Sequence, residues 1–152
     1  MLPVNPARIA AEYKQAQALH RAGRLAEADS RYSALQMLAP HLAEIPYQLG
    51  RIALLRSDTA RARDNLERAR TLKPEEPAIL SSLAEALGAL DATEAALALH
   101  DRLIKAAPKM VKPRADKALL LQRTGDFDAA EVEFRRALKL APDLGESAHG
   151  AR

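Results

Sequence analysis

Four prolines, Pro40, Pro74, Pro108 and Pro142, stand 34 residues apart, and four alanines, Ala28, Ala62, Ala96 and Ala130, keep the same period, each 12 residues ahead of its proline. Two residue types held in phase through four periods mark an internal repeat. A unit of this length is one supersecondary element that buries its apolar face only against neighbouring copies. A bulky or ring residue follows each alanine by four positions (Tyr32, Leu66, His100, Phe134), and a small residue precedes it by twelve (Ala16, Gly50, Ala84, Ala118). Within a period the apolar positions fall at helical spacing, as in Leu49, Ile52 and Ala53, then Ala62, Leu66 and Ala69. Turn residues separate the two stretches: Gly23, Ser57-Asp58, Asp91 and Gly125-Asp126. Small residues at the crossing positions let two helices approach closely, and each proline, lacking a donor, closes the second helix. The period therefore predicts eight helices of about 12 to 15 residues and no strand.

Composition supports the same class. Aromatic residues make up 3% and Trp is absent, so Leu, Ala and Ile must build the core, which suits close helix packing better than a sheet sandwich. Without cysteine, neither a disulfide framework nor a thiolate zinc site can form. The start, Met1-Leu2-Pro3-Val4-Asn5-Pro6, lacks a basic segment followed by an apolar one, and no apolar run approaches membrane-spanning length. A cytoplasmic protein without membrane insertion is the expectation. Net charge is +3, yet bases and acids alternate, as in Arg61-Ala62-Arg63-Asp64-Asn65-Leu66-Glu67-Arg68. That pattern reads as a solvated helix face, so no nucleic-acid partner is expected.

The period, the small residues and the closing proline resemble the tetratricopeptide repeat (TPR), whose pattern runs W-x₂-L-G-x₂-Y, then A-x₃-F, then P. Four units fit, at residues 9–42, 43–76, 77–110 and 111–144, with 1–8 as a lead-in and 145–152 as a tail. The second unit carries Leu49-Gly50, Ala62, Leu66 and Pro74, and the fourth carries Ala118, Leu121, Ala130, Phe134 and Pro142. The position usually held by Trp is instead Glu12, Pro46, Leu80 or Arg114, and Gln15-Ala16 replaces Leu-Gly in the first unit. The resemblance implies an all-α fold, a right-handed α-solenoid of antiparallel helix pairs whose first helices line a concave groove. Carried over by phase, that groove would present Tyr13, Lys14, Gln17, His20 and Arg21, then Tyr47, Gln48, Arg51, Leu54 and Leu55. The third unit would add Ser81, Ser82 and Glu85, and the fourth Lys112, Asp116, Leu119 and Arg123. Tyrosines beside Lys14, Arg21 and Arg51 suit an extended, acidic peptide, because Arg holds a carboxylate bidentately and Tyr supplies rigid contact area. The family's clamp on a chaperone's terminal carboxylate is not expected, since Tyr13, Gln17, Gln48, Ala78 and Ser82 stand where it needs Lys, Asn, Asn, Lys and Arg.

No phosphate loop, H-E-x-x-H pair or nucleophile elbow occurs, and Glu75-Glu76 is explained by the helix start it precedes. His20, His41, His100 and His149 are too dispersed for a helical ligand pair, so no metal or other cofactor and no catalysis are expected. His100 is expected in the core with its polar edge toward a turn. Three roles stay open: a peptide-binding adaptor, a self-assembling scaffold, or the front module of a larger bacterial enzyme such as a sulfotransferase. The residues after Pro142 hold two glycines and one large apolar side chain, too little to cap a solenoid. Leu120, Leu121, Phe134 and Leu138 are therefore expected to lose cover, favouring a homodimer through this end or a chain that continues past Arg152.

Overall fold

The computed structural model describes residues 5–141. Among them every regular element is an α-helix: α1 (Pro6–Arg21), α2 (Leu25–Leu38), α3 (Glu44–Leu55), α4 (Thr59–Leu72), α5 (Pro77–Ala89), α6 (Thr93–Ala106), α7 (Val111–Arg123) and α8 (Phe127–Leu140). The chain divides into two compact units, residues 1–86 and 87–152, with the boundary inside α5. Helix α1 begins within the expected lead-in and runs for 16 residues, longer than its sequence spacing suggested. Its start is fixed locally, because Asn5 accepts a hydrogen bond from the Ala7 amide at 2.9 Å and Pro6 occupies the first turn, where no donor is needed.

The turn inside each helix pair recurs with the sequence period. Gly23, Ser57, Asp91 and Gly125 all adopt positive φ, between 60° and 90°. In the second pair the Ser57 amide donates to the Leu54 carbonyl at 3.1 Å and the Asp58 amide to the Ala53 carbonyl at 2.9 Å. The same two bonds close the turns at Gly23, Asp91 and Gly125, which is the Schellman way of satisfying the last carbonyls of a helix. Asp58 and Asp126 then cap the following helix through the amides of Arg61 and Ala129, both at 3.4 Å. Ala92, at the equivalent position, has no side chain with which to cap.

The second helices also end alike. Ala39, Lys73, Ala107 and Ala141 share φ near −135° (−132° to −139°) and ψ of 64° to 84°. Each precedes a proline in sequence, and the proline ring pushes the residue before it out of the helical region. Pro142 itself and the tail 145–152 lie outside the described residues, as does the expected cap failure there.

In the first unit a core of Tyr32, Leu35, Ile45, Leu49 and Ile52 is sealed around Ala16 and Ala28, all at most 1% exposed. Each fully buried aliphatic side chain of this kind stabilises the unit by about 1.5 to 3 kcal/mol. The repeat alanines Ala28, Ala62, Ala96 and Ala130 are buried, at 0% to 3% exposure. Gly50 shows why small residues are needed: a Cβ there would stand 2.5 Å from Leu66 Cγ.

The second unit is tied by charge as well as by Leu99, Leu103, Leu120 and Leu121. Glu133 of α8 is 5% exposed. It is held by Arg136 at 3.0 Å, Arg114 at 3.4 Å and Lys117 at 3.6 Å, and Lys117 reaches on to Asp101 at 2.7 Å. Of the four residues expected to lose cover, Leu120 and Leu121 are buried, Phe134 is half-buried and Leu138 is exposed. His100 is in the core as expected, but its Nδ1 has no hydrogen-bond partner.

Candidate functional site

Side chains three and four residues apart share one face of a helix. Gln17, His20 and Arg21 on α1, and Gln48, Arg51 and Leu55 on α3, therefore form two facing rows. Between them lies an open hollow of about 550 Å³, whose floor is Tyr32 of α2 and whose far wall includes Leu25. A second hollow of about 180 Å³ lies between α3 and α5, lined by Arg51, Leu54, Leu55, Ser82 and Glu85. Arg51 and Leu55 belong to both, so the two hollows adjoin at these side chains along α1, α3 and α5 of the first unit.

The α1–α3 wall is braced from beneath. Tyr13 donates its hydroxyl proton to Glu44 Oε1 at 3.1 Å and accepts from Gln48 Nε2 at 3.3 Å, while Gln48 also donates to Glu44 at 3.1 Å. Burial, and then the Glu44 carboxylate, hold the Tyr13 phenol well above its ordinary value, so it remains a donor. Its ring meets Tyr32 edge-on at 5.6 Å. Tyr13 thus occupies the repeat-to-repeat joint, with its polar end committed there. Arg51 lies over the Tyr47 ring at 5.7 Å, a cation–π contact that helps to fix the guanidinium.

The first hollow is electropositive. Its ionisable lining is His20, Arg21, Arg51 and Tyr32, with no carboxylate. Burial, then the Arg51 charge, push the His20 pKa below its ordinary value. The Tyr32 phenol is pushed up to about 12 by burial and by Glu44, against the opposing pull of Arg21 and Arg51. Tyr32 is 0% exposed and its hydroxyl has no hydrogen-bond partner.

Of the remaining residues singled out by phase, Lys14 is exposed outside both hollows, and Tyr47 and Ser81 are half-buried. Those of the fourth repeat are engaged within the second unit. Lys112 pairs with Asp116 at 2.6 Å and Arg123 donates to the Gly88 carbonyl at 2.6 Å, while Leu119 is exposed. A further surface hollow, lined among others by Arg8, Glu12, Glu27 and Arg31, carries mixed charges, with Arg31 3.5 Å from Glu12. Sequence phase assigned Tyr32 to the core alone. Its signal was a hydroxyl at a position that Leu66 and Phe134 fill in other units. Among the described residues no group of acidic, His or Cys side chains could hold a metal ion, and no helix is long and apolar enough to cross a membrane.

Comparison with known proteins agrees with this architecture. Residues 113–144 match the tetratricopeptide repeat family model. No curated protein sequence matches the chain. Among solved structures, MamA from Desulfovibrio magneticus RS-1 superposes with a TM-score of 0.83 at 18% identity, covering 89% of this chain and 76% of that one. YrrB, described as a TPR protein with an unusual peptide-binding site, gives 0.75 at 21% identity over 86% of this chain and 68% of that one. A tetratricopeptide repeat protein from Parabacteroides merdae gives 0.79 at 19% identity, covering 88% and 54%. At these identities the likeness is one of fold: among the described residues, consecutive α-helices of the kind that build tetratricopeptide structures.

Proposed function

We infer that this tetratricopeptide repeat chain is a binding module without catalysis of its own, and that its first unit holds an extended segment of another protein in the trough along α1, α3 and α5. The observation that carries this reading is the meeting of two hollows at Arg51 and Leu55. Leu55 is 62% exposed beside an oriented guanidinium, which offers an apolar contact and a charge at the centre of the trough. Polarity runs along it: the α1 end carries His20 and Arg21, and the α5 end carries Glu85. A fitting segment places an acidic residue toward α1, an aliphatic one at Leu55 and a neutral or basic one toward α5. An extended segment suits such a trough because its side chains alternate between the groove and solvent. The fold also serves peptide binding in a protein such as YrrB by that protein's own description, although its site is not carried over here.

Selection from a random peptide library tests the reading. Binders to the natural protein should be enriched in Asp or Glu near an aliphatic residue. Selection on Arg51→Glu should lose that enrichment or invert it to Lys and Arg. Identical binder families from both proteins would defeat the proposal.

A further inference from the structure

A buried hydroxyl without a partner is costly relative to one that is satisfied, so each such group calls for an explanation. Tyr32 has the fully buried one in the first unit that also faces a hollow. Phe would fill the same core volume and keep the edge-on contact with Tyr13. Arg21 from α1 and Arg51 from α3 line the same hollow as Tyr32, as does His20, and both guanidinium charges act on the Tyr32 phenol. Neither guanidinium forms an ion pair among the described residues. The nearby carboxylate, Glu44, is committed to Tyr13 and Gln48 and does not line the hollow.

We propose that this hollow is a seat for a single carboxylate, the side chain of an acidic residue in the bound segment, which accepts from the Tyr32 hydroxyl and from the Arg21 and Arg51 guanidiniums. The proposal rests on the trough reading and assigns its α1 end. Tyr32, Arg21 and Arg51 line the same hollow and none of the three has an acceptor among the described residues; a planar, singly charged acceptor with two oxygens has the lone pairs to serve all three. The charge also acts on His20. In the free protein burial and Arg51 disfavour its protonated form. A carboxylate seated between them offsets the Arg51 field, so protonation becomes easier when the seat is filled. Binding and proton uptake are therefore linked, and the carboxylate binds more tightly as pH falls toward the range where His20 titrates. The groups facing His20 in this linkage are Arg21 from its own helix, Tyr32 from α2 and Arg51 from α3, with Glu44 acting through Tyr32.

The probe is N-acetyl-glutamate N-methylamide, with the glutamine analogue as its neutral twin, followed through the His20 ring protons by NMR. The glutamate probe should raise the His20 pKa by about one unit. It should then bind more tightly at about pH 6 than at about pH 8, the ratio approaching about tenfold only at a pH well below the free His20 value, since the limiting affinity ratio of the two protonation states equals the pKa change. The glutamine probe should do neither. Tyr32→Phe should weaken glutamate binding about tenfold, the loss of one charge-assisted hydrogen bond, with an unchanged or higher melting temperature. His20→Gln should keep the binding seen at about pH 8 and lose the acid enhancement.

Equal binding of the two probes, or a His20 pKa unmoved by saturating glutamate, overturns the seat and assigns the hydroxyl to a water. Tighter binding of the phosphoserine analogue overturns the carboxylate assignment; phosphate gains a proton near pH 6, so its linkage would be flattened. The seat and the trough fail separately. Library binders with no glutamate effect on His20 refute the seat alone, and a glutamate effect without any library binder refutes the trough alone.

Discussion

Gly50→Ala isolates the close approach on which the first unit depends. The new Cβ would lie 2.5 Å from Leu66 Cγ, 2.9 Å from Leu66 Cδ2 and 3.3 Å from the Ala62 carbonyl oxygen. Carbon atoms pack at about 3.5 to 4.0 Å, so the shortfall is on the order of an ångström. Leu66 is 0% exposed and has no free space to enter, and the clashing atom is its branch carbon rather than a flexible tip. Overpacking of this kind costs about 1 to 3 kcal/mol. Alanine also returns about 1 kcal/mol of helix propensity in α3, so the net loss should be about 0 to 2 kcal/mol.

Gly88→Ala is the control. Its Cβ meets Arg123 Nη2 at 3.1 Å and Leu120 Cδ1 at 3.4 Å, side-chain ends that need give only a few tenths of an ångström, and since Arg123 must keep its bond to the Gly88 carbonyl as it shifts, the loss should be smaller than at Gly50 or absent. Urea denaturation followed by circular dichroism measures both. On a Leu66→Ala background, which removes the clashing atoms, Gly50→Ala should become stabilising, giving a coupling of about 1 to 3 kcal/mol in the double-mutant cycle. If Gly50→Ala alone gains the full ~1 kcal/mol of helix propensity, or the double-mutant cycle shows no coupling, the packing argument is wrong.

Three further outcomes follow from departures among equivalent positions. Ala92→Asp should add about 0.5 to 2 kcal/mol, because Asp58 and Asp126 cap their helices at the same place; an unchanged denaturation midpoint would mean that the turn cannot accommodate the cap. Ser57→Gly should gain up to about 1 kcal/mol by relieving a φ of 60°, whereas Gly125→Ala, at φ 90°, should lose about 1 to 2 kcal/mol. Burial, with smaller opposing and reinforcing charge effects, lowers the pKa of His100. The unfolded chain therefore takes up its proton first, and the stability tied to neutral His100 is complete above about pH 6.5 and is lost as pH falls through the lowered folded value. His100→Phe should flatten the melting temperature between about pH 7.5 and pH 5, and an unaltered acid dependence would assign it to other groups.

What could be read beforehand is what recurs. Pro40, Pro74 and Pro108 act on the residue immediately before them, and Gly23, Ser57, Asp91 and Gly125 act within their own turns, so local chemistry repeated at a fixed spacing located every described pair of helices. Phase likewise brought Gln17, His20, Arg21, Gln48 and Arg51 toward one hollow. What escaped depends on contacts between distant segments. Tyr13 looked like an open aromatic platform, but its hydroxyl is committed to Glu44, 31 residues away. Glu133 is buried and paired with Arg114 and Lys117 of α7, a contact that spacing within its own helix does not show. Tyr32 showed its size in the pattern and not the isolation of its hydroxyl, which follows from what α1 and α3 leave unfilled.

The most direct test of the trough is to map where a selected peptide lies. Amide and side-chain NMR of the protein saturated with a library-derived binder should shift Gln17, His20 and Arg21 of α1, Arg51 and Leu55 of α3, and Ser82 and Glu85 of α5, with the largest change at Arg51 and Leu55, where the hollows meet. The outward residues Arg24, Glu27, Asp64 and Arg68 should stay in place. Shifts concentrated on those residues, or confined to residues 87–141, would contradict the account.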